Sequence, residues 1–178
     1  MDIKKNFIRF EQKAVFTLAM LLLGGCASTG TLHTLKPMTV KLANYKTMGI
    51  DVSSQVPESS QEAIQLETMV IVKLRDRGLF EKIFSQSASP EIPADLRLNV
   101  KVVNLKKVSA EDRVMLGALA GRAKIVVDVE LIDLKTEETI GAFKAEGQSS
   151  GGTVFAGTTS QAIERAVEQI VQFVQDSM

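Results

Sequence analysis

Apolar residues along the chain follow two periods, and the order of those periods predicts the elements. Met48, Ile50 and Val52 alternate with Gly49 and Asp51, which predicts a strand over Tyr45–Val52. Ala63, Leu66, Val70 and Leu74 then recur at helical spacing, widened by Ile64, Met69 and Ile71, and predict a helix from Glu58 to Arg77. Ser59 and Glu62 have capping-box spacing at its start, and Gly78 follows Lys73, Arg75 and Arg77 at its end. A short strand over Leu79–Phe84 precedes the loop SQSASPEIP. Period two returns at Leu96, Leu98, Val100 and Val102, predicting a strand over Asp95–Lys107 whose phase slips at Val103 and Leu105, the mark of a bulge. Ile125, Val127, Val129 and Leu131 predict a strand over Lys124–Asp133, with Asp128 and Glu130 on its wet face. A turn at Lys135–Glu138 leads to a strand near Thr139–Gly147. Ile163, Ala166, Val167, Ile170, Val171 and Val174 place a last amphipathic helix over Ser160–Gln175, with Thr158 and Gln161 at capping-box spacing. The expected fold is α+β: a single twisted, mainly antiparallel sheet with two amphipathic helices packed on one face.

A different pattern precedes these elements. Lys4, Lys5, Arg9 and Lys13 form a basic stretch, diluted by Asp2 and Glu11, and an apolar run follows from Ala14 to Leu23. That run suits a signal-peptide core and is far short of the roughly 20 residues of a spanning helix. It ends in Leu23-Gly24-Gly25-Cys26, which resembles the lipobox of bacterial lipoproteins. Small residues before the cysteine admit a peptidase, and the Cys26 thiol is the nucleophile for a diacylglyceryl group. The freed Cys26 amine can then take an acyl chain such as palmitate. An ordinary secretory signal with a chance cysteine, or an uncleaved anchor, are the competing readings. In Gram-negative lipoproteins an Asp after the acylated cysteine commonly retains the protein at the inner membrane. Ala27 stands at that position, so the resemblance implies the outer membrane, with the domain facing the periplasm.

The expected organisation is a signal peptide over 1–25, a lipidated flexible tether over 26–37 and a periplasmic domain over 38–178. The tether reads ASTGTLHTLKP and carries His33, taken as a solvated linker residue.

Composition removes several function classes. Lys+Arg and Asp+Glu number 21 each, so the zero net charge argues against a nucleic-acid partner. One Cys and one His allow neither an internal disulfide, nor a Cys-based zinc site, nor a two-histidine mechanism. No Trp and a single Tyr make a poor stacking platform. No metal and no cofactor are expected.

Candidate chemistry is sparse. Asp128 with Glu130, and Glu111 with Asp112, are paired acids beside no other catalytic element, so a wet face is the better reading. Ser149 and Ser150 precede Gly151 and Gly152 without the Gly-x-Ser-x-Gly pattern and read as a flexible connection. The segment VMLGALAGRA from Val114 to Ala123 stands out more. Gly117 and Gly121 are spaced for close backbone approach, and Arg113 and Arg122 bracket the run. It could pack on its own domain, contact a partner or second copy, or dip into a membrane surface. As a candidate interaction loop it comprises Arg113, Val114, Met115, Leu116, Gly117, Leu119, Gly121 and Arg122.

Several of these motifs together are similar to lipoproteins carrying the domain of unknown function 4410. They are the lipobox at Cys26, the helix end Leu74-Arg75-Asp76-Arg77-Gly78-Leu79-Phe80, and Arg113…Leu116-Gly117…Gly121 running into Lys124–Asp133. The glycine-containing loop before the final helix completes the resemblance. It implies a fold and an address, and brings no catalytic or ligand residues. The expected function is a non-enzymatic, lipid-anchored outer-membrane lipoprotein. Its periplasmic domain is expected to contact other envelope proteins or copies of itself. A binding module for a small or lipid-like ligand is the alternative.

Overall fold

In the computed structural model, which describes residues 28–116, 121–151 and 157–178, the period-two segments are strands at nearly the predicted bounds. The elements run β1 (Thr29–Lys36), a 3-10 turn (Leu42–Asn44), β2 (Thr47–Ser54), α1 (Ser60–Asp76), β3 (Lys82–Ser85), β4 (Leu96–Lys106), α2 (Ala110–Leu116), β5 (Lys124–Asp133), β6 (Glu138–Gln148) and α3 (Thr159–Asp176). Among the described residues the strands form one six-stranded sheet in the order β1-β6-β5-β4-β2-β3.

The fold is α+β, but the sheet is mixed where a mainly antiparallel one was expected. β1, β6, β5 and β4 pair antiparallel, while β2 pairs parallel with both β4 and β3. The reason is α1. A helix between β2 and β3 returns the chain to the starting edge, so β3 must run parallel to β2. The connection to β4 then crosses back beside β2 at Gly49, where a side chain would strike Gln86. The expected bulge is present, as a register shift between Val102 and Asn104.

Apolar alternation decides which face is covered. Leu96, Leu98, Val100 and Val102 of β4 and Ile125, Val127, Val129 and Leu131 of β5 point to one side and are fully buried. There they join Leu66, Val70 and Leu74 of α1 and Ile163, Ala166, Val167, Ile170 and Val174 of α3 in one core. Phe143 stacks on Phe173 with ring centroids 4.0 Å apart, fixing α3 over β6. Gly147 lets the helix come close, since a Cβ there would overlap the backbone at Ala162 and lie 2.6 Å from Ala166 N. At the other helix Gly78, at φ +61°, makes the expected stop.

Residues 29–36, expected to be tether, are instead the edge strand β1, in register with β6 from Thr29↔Gln148 to Lys36↔Ala142. Leu32 packs against the core, and Gly30 lies beneath the Gln169 side chain of α3. Neither expected capping box forms a side-chain cap. Ser59 is buried and donates to Val56 O at 2.7 Å, while Glu62 turns to Lys107 at 2.9 Å. Gln161 likewise serves the preceding loop, as described next.

Candidate functional site

Register places the candidate residues relative to one another. Thr29, Gln148, Lys124 and Lys106 lie side by side in one row across β1, β6, β5 and β4. That row is one end of the sheet. Ser28, the first described residue, enters here and its Oγ accepts from Arg165 Nε of α3 at 2.6 Å. α1 and α3 both begin here too. Lys107 Nζ donates to Glu58 O at 2.6 Å just before α1, and Thr159 N donates to Val108 O at 3.1 Å at the start of α3.

The inner ring of this end is closed by hydrogen bonds. Ser149 is fully buried; its Oγ accepts from Ala123 N at 2.9 Å and donates to Gly157 O at 3.0 Å. Gln161 Oε1 accepts from Ser150 N at 2.9 Å, Ser150 Oγ at 3.0 Å and Gly157 N at 3.1 Å. The serine pair read as a flexible connection is therefore a staple joining three chain segments. Local pattern could not reveal this, because the partners are distant in sequence.

Outside that ring stands α2. The candidate interaction loop opens with this helix, which contains Arg113. Val114, Met115 and Leu116 are 68%, 82% and 54% exposed. Packing of these three on their own domain, one of the expected readings, does not occur. Among the described residues α2 has no extended contact with any strand or other helix. Gly121 has φ +76°, so it serves a left-handed turn into β5. Arg122 is half-buried and lies over Gly151, whose added Cβ would be 3.0 Å from Arg122 Nε. Gly117 and Leu119 lie outside the described residues, as do Leu23, Gly24, Gly25, Cys26 and Ala27.

The sheet face opposite the helices is the second surface. Asp51, Ser53, Asn99, Lys101, Asp128 and Glu130 line a hollow of about 400 Å³ on it. Lys144 Nζ sits 3.1 Å from Asp128 Oδ1, so this acid is half of an ion pair. Arg97 Nε and Asn99 Oδ1 are enclosed without hydrogen-bond partners among the described residues. His33, expected in a linker, lies on this face opposite Lys144. Among the described residues no cluster of His, Cys, Asp and Glu could hold a metal, and no helix is long and apolar enough to cross a membrane.

The far end of the sheet is finished with carboxylates. Asp95 Oδ2 accepts from Lys46 N at 3.1 Å and Thr47 N at 3.0 Å, and Thr47 Oγ1 is also bonded to Asp95. The contact with Thr47 holds the Asp95 carboxyl below its usual range. Tyr45 OH donates to Asp133 Oδ2 at 2.8 Å, which lowers the Asp133 carboxyl. Partial burial, then the Asp133 bond and charge, push the Tyr45 phenol up to about 12.

Comparison with known proteins places this arrangement. Two solved structures of the PelC dodecamer from Paraburkholderia phytofirmans share the fold. One, a single-site variant, has 16% identity and a TM-score of 0.54, covering 80% of this chain and 95% of that one. The other has 17% identity and a TM-score of 0.53, covering 80% and 96%. No curated protein matches the chain. The family model described as Domain of unknown function (DUF4410) matches residues 35–153, from the end of β1 to beyond the end of β6. With roughly two thirds of its length matched, the chain belongs to the DUF4410 family.

Proposed function

We propose that this chain is a bacterial lipoprotein, acylated at Cys26 and held at the periplasmic face of the outer membrane. Its domain works without catalysis, as an interaction module in a cell-envelope assembly. Leu23-Gly24-Gly25-Cys26 after a short apolar run supports the address. The open sheet face carries the interaction reading. It is polar and mixed in charge, and it holds two enclosed polar atoms, Arg97 Nε and Asn99 Oδ1, that lack hydrogen-bond partners among the described residues. Such groups are costly until a partner or ordered water satisfies them. A polar face of this kind suits a protein surface better than an apolar ligand. PelC, of like fold, is a dodecamer, which favours contact between copies as one form of the assembly.

The test is crosslinking in intact cells of the tagged full chain, with the size of the detergent-solubilised particle measured in parallel. Wild type is compared with Cys26→Ser and with Lys101→Glu/Glu130→Lys on the open face. The expected result is a discrete multimer, or one reproducible envelope partner, lost in the face variant while its Tm is kept. A wild-type chain that stays monomeric and captures only background would reject the reading. A small molecule retained in native mass spectrometry would then point to the ligand-binding alternative.

A further inference from the structure

We infer that α2 rests in the interface of the bilayer that receives the Cys26 acyl chains, with Val114, Met115 and Leu116 among the lipid headgroups and upper acyl chains. The inference builds on the lipidation proposed above and turns an anchor into an orientation. Cys26 precedes Ser28 by two residues, a reach of at most about 7 Å. Ser28 is bound to Arg165 of α3, and Thr29 is already paired in the sheet. The expected tether is thus almost entirely consumed by β1, which leaves only Ala27 between Cys26 and the first described residue. A bilayer held at Ser28 must lie against the end of the sheet marked by Thr29, Gln148, Lys124 and Lys106. Lys106 lies three strand spacings from Thr29, about 14 Å. α2 leaves from that point and carries three exposed apolar side chains.

The size of the patch argues in the same direction. Three side chains on a seven-residue helix fall far short of the roughly 800 Å² per partner of a stable protein interface. They suit shallow insertion, where the acyl chains already supply most of the affinity. Charge at this end is compatible with phosphate headgroups. Lys106 and Arg122 form no ion pair among the described side chains, whereas Lys107 and Lys124 pair with Glu62 and Glu146, and α2 itself carries Glu111 and Asp112. Both long helices also begin here, so the positive ends of their dipoles face the same side.

The chain has no Trp, so one introduced indole reports its own surroundings. Met115→Trp is compared with Leu35→Trp, an exposed position near the other end of β1. Each full-length variant is purified in its acylated form, checked by intact mass, and reconstituted into phosphatidylethanolamine–phosphatidylglycerol vesicles with or without brominated acyl chains. The expected result is a blue shift and loss of most emission with brominated lipid for Met115→Trp, and neither for Leu35→Trp. An acylated chain whose Met115→Trp emission equals that of the control overturns the inference and leaves the anchor standing. A blue shift without quenching by brominated lipid means that protein, a second copy or a partner, covers α2, and also overturns it. A chain recovered without acyl mass removes the anchor and the inference together.

Discussion

The two ends of the sheet are finished by opposite chemistry. At the end where β2 and β4 begin, each turn is drawn in by a carboxylate: Asp95 holds Lys46 and Thr47, and Asp133 holds Tyr45, Lys135 and Thr136. At the Ser28 end an equally well bonded ring, built on Ser149 and Gln161, is topped by a helix whose Val114, Met115 and Leu116 the domain leaves exposed. An end that faces water gains from satisfied polar groups and loses from exposed apolar ones. On the orientation inferred above, the contrast would separate the water-facing end from the membrane-facing one. It also separates what holds the fold from what lies outside it, and each separation can be broken by substitution.

The largest effect belongs to the packing beneath the Ser28 end. Gly147→Ala would drive a methyl into the backbone of α3 at Ala162, where no rotamer can relieve it. Overpacking of this kind costs about 3 kcal/mol, a fall in Tm of roughly 10 °C for a domain of this size. Thermal denaturation followed by circular dichroism reads it. An unchanged Tm would mean that α3 does not bear closely on β6. Ser149→Ala should come second. It leaves the Ala123 N–H at a buried site without its acceptor, at a cost of about 1–3 kcal/mol. Ser149→Thr, which keeps the hydroxyl, should recover part of the loss.

A smaller effect marks the far end, and pH exposes it. The Asp95 and Asp133 carboxyls are held below their ordinary value of 3.8, so their contribution is complete above pH 3.8 and is lost as pH falls through the folded values. The Tyr45 phenol is raised from 10.0 to about 12, so its contribution is complete below pH 10 and is lost between pH 10 and about 12. Tyr45 is the one tyrosine of the chain, so phenolate absorbance titrates it alone. The midpoint should lie near 12 in the folded protein and near 10 in denaturant. Equal midpoints would show that the bond to Asp133 does not persist in solution. Tyr45→Phe should remove the alkaline loss and cost less stability than Ser149→Ala.

The sequence made the buried layer legible because that layer is written in strict periods. β4, β5 and β6 alternate fully buried with wetter positions, and α3 carries an unbroken apolar stripe, so their existence and bounds follow from local pattern. β1 is different. Only Leu32 reaches the core from Thr29–Lys36, and the partner that makes it a strand lies more than a hundred residues away. Parallel pairing of β2 is equally hidden, since alternation fixes which face a residue takes and is silent on the neighbouring strand. Ser59, Thr158 and Gln161 had the spacing of helix caps, yet the preceding loops claimed two of these side chains, Ser59 donating to Val56 O and Gln161 accepting from Ser150 and Gly157. The apolar run at Val114 could not be assigned for a related reason. Apolar residues in a short helix look alike in sequence whether their cover is a sheet, a protein or a lipid surface.

That ambiguity is what the smallest prediction resolves. Met115→Asp/Leu116→Asp places two charges at exposed positions of a helix without extended contact to another element, so stability should change by no more than about 0.5 kcal/mol. The same pair in the core, Leu66→Asp/Val70→Asp, would abolish folding, because buried charges without partners cannot be tolerated. Stability thus distinguishes surface from core, and vesicle binding distinguishes surface from membrane contact. The acylated Met115→Asp/Leu116→Asp variant should still float with vesicles, because its acyl chains remain, yet hydrogen exchange in α2 should no longer slow when lipid is present. If exchange in wild-type α2 is the same with and without vesicles, the bare helix is not the membrane-facing end, and the contrast between the two ends needs another cause. If it slows in wild type and not in the variant, the difference in how the two ends are finished is the direction in which the domain faces its bilayer.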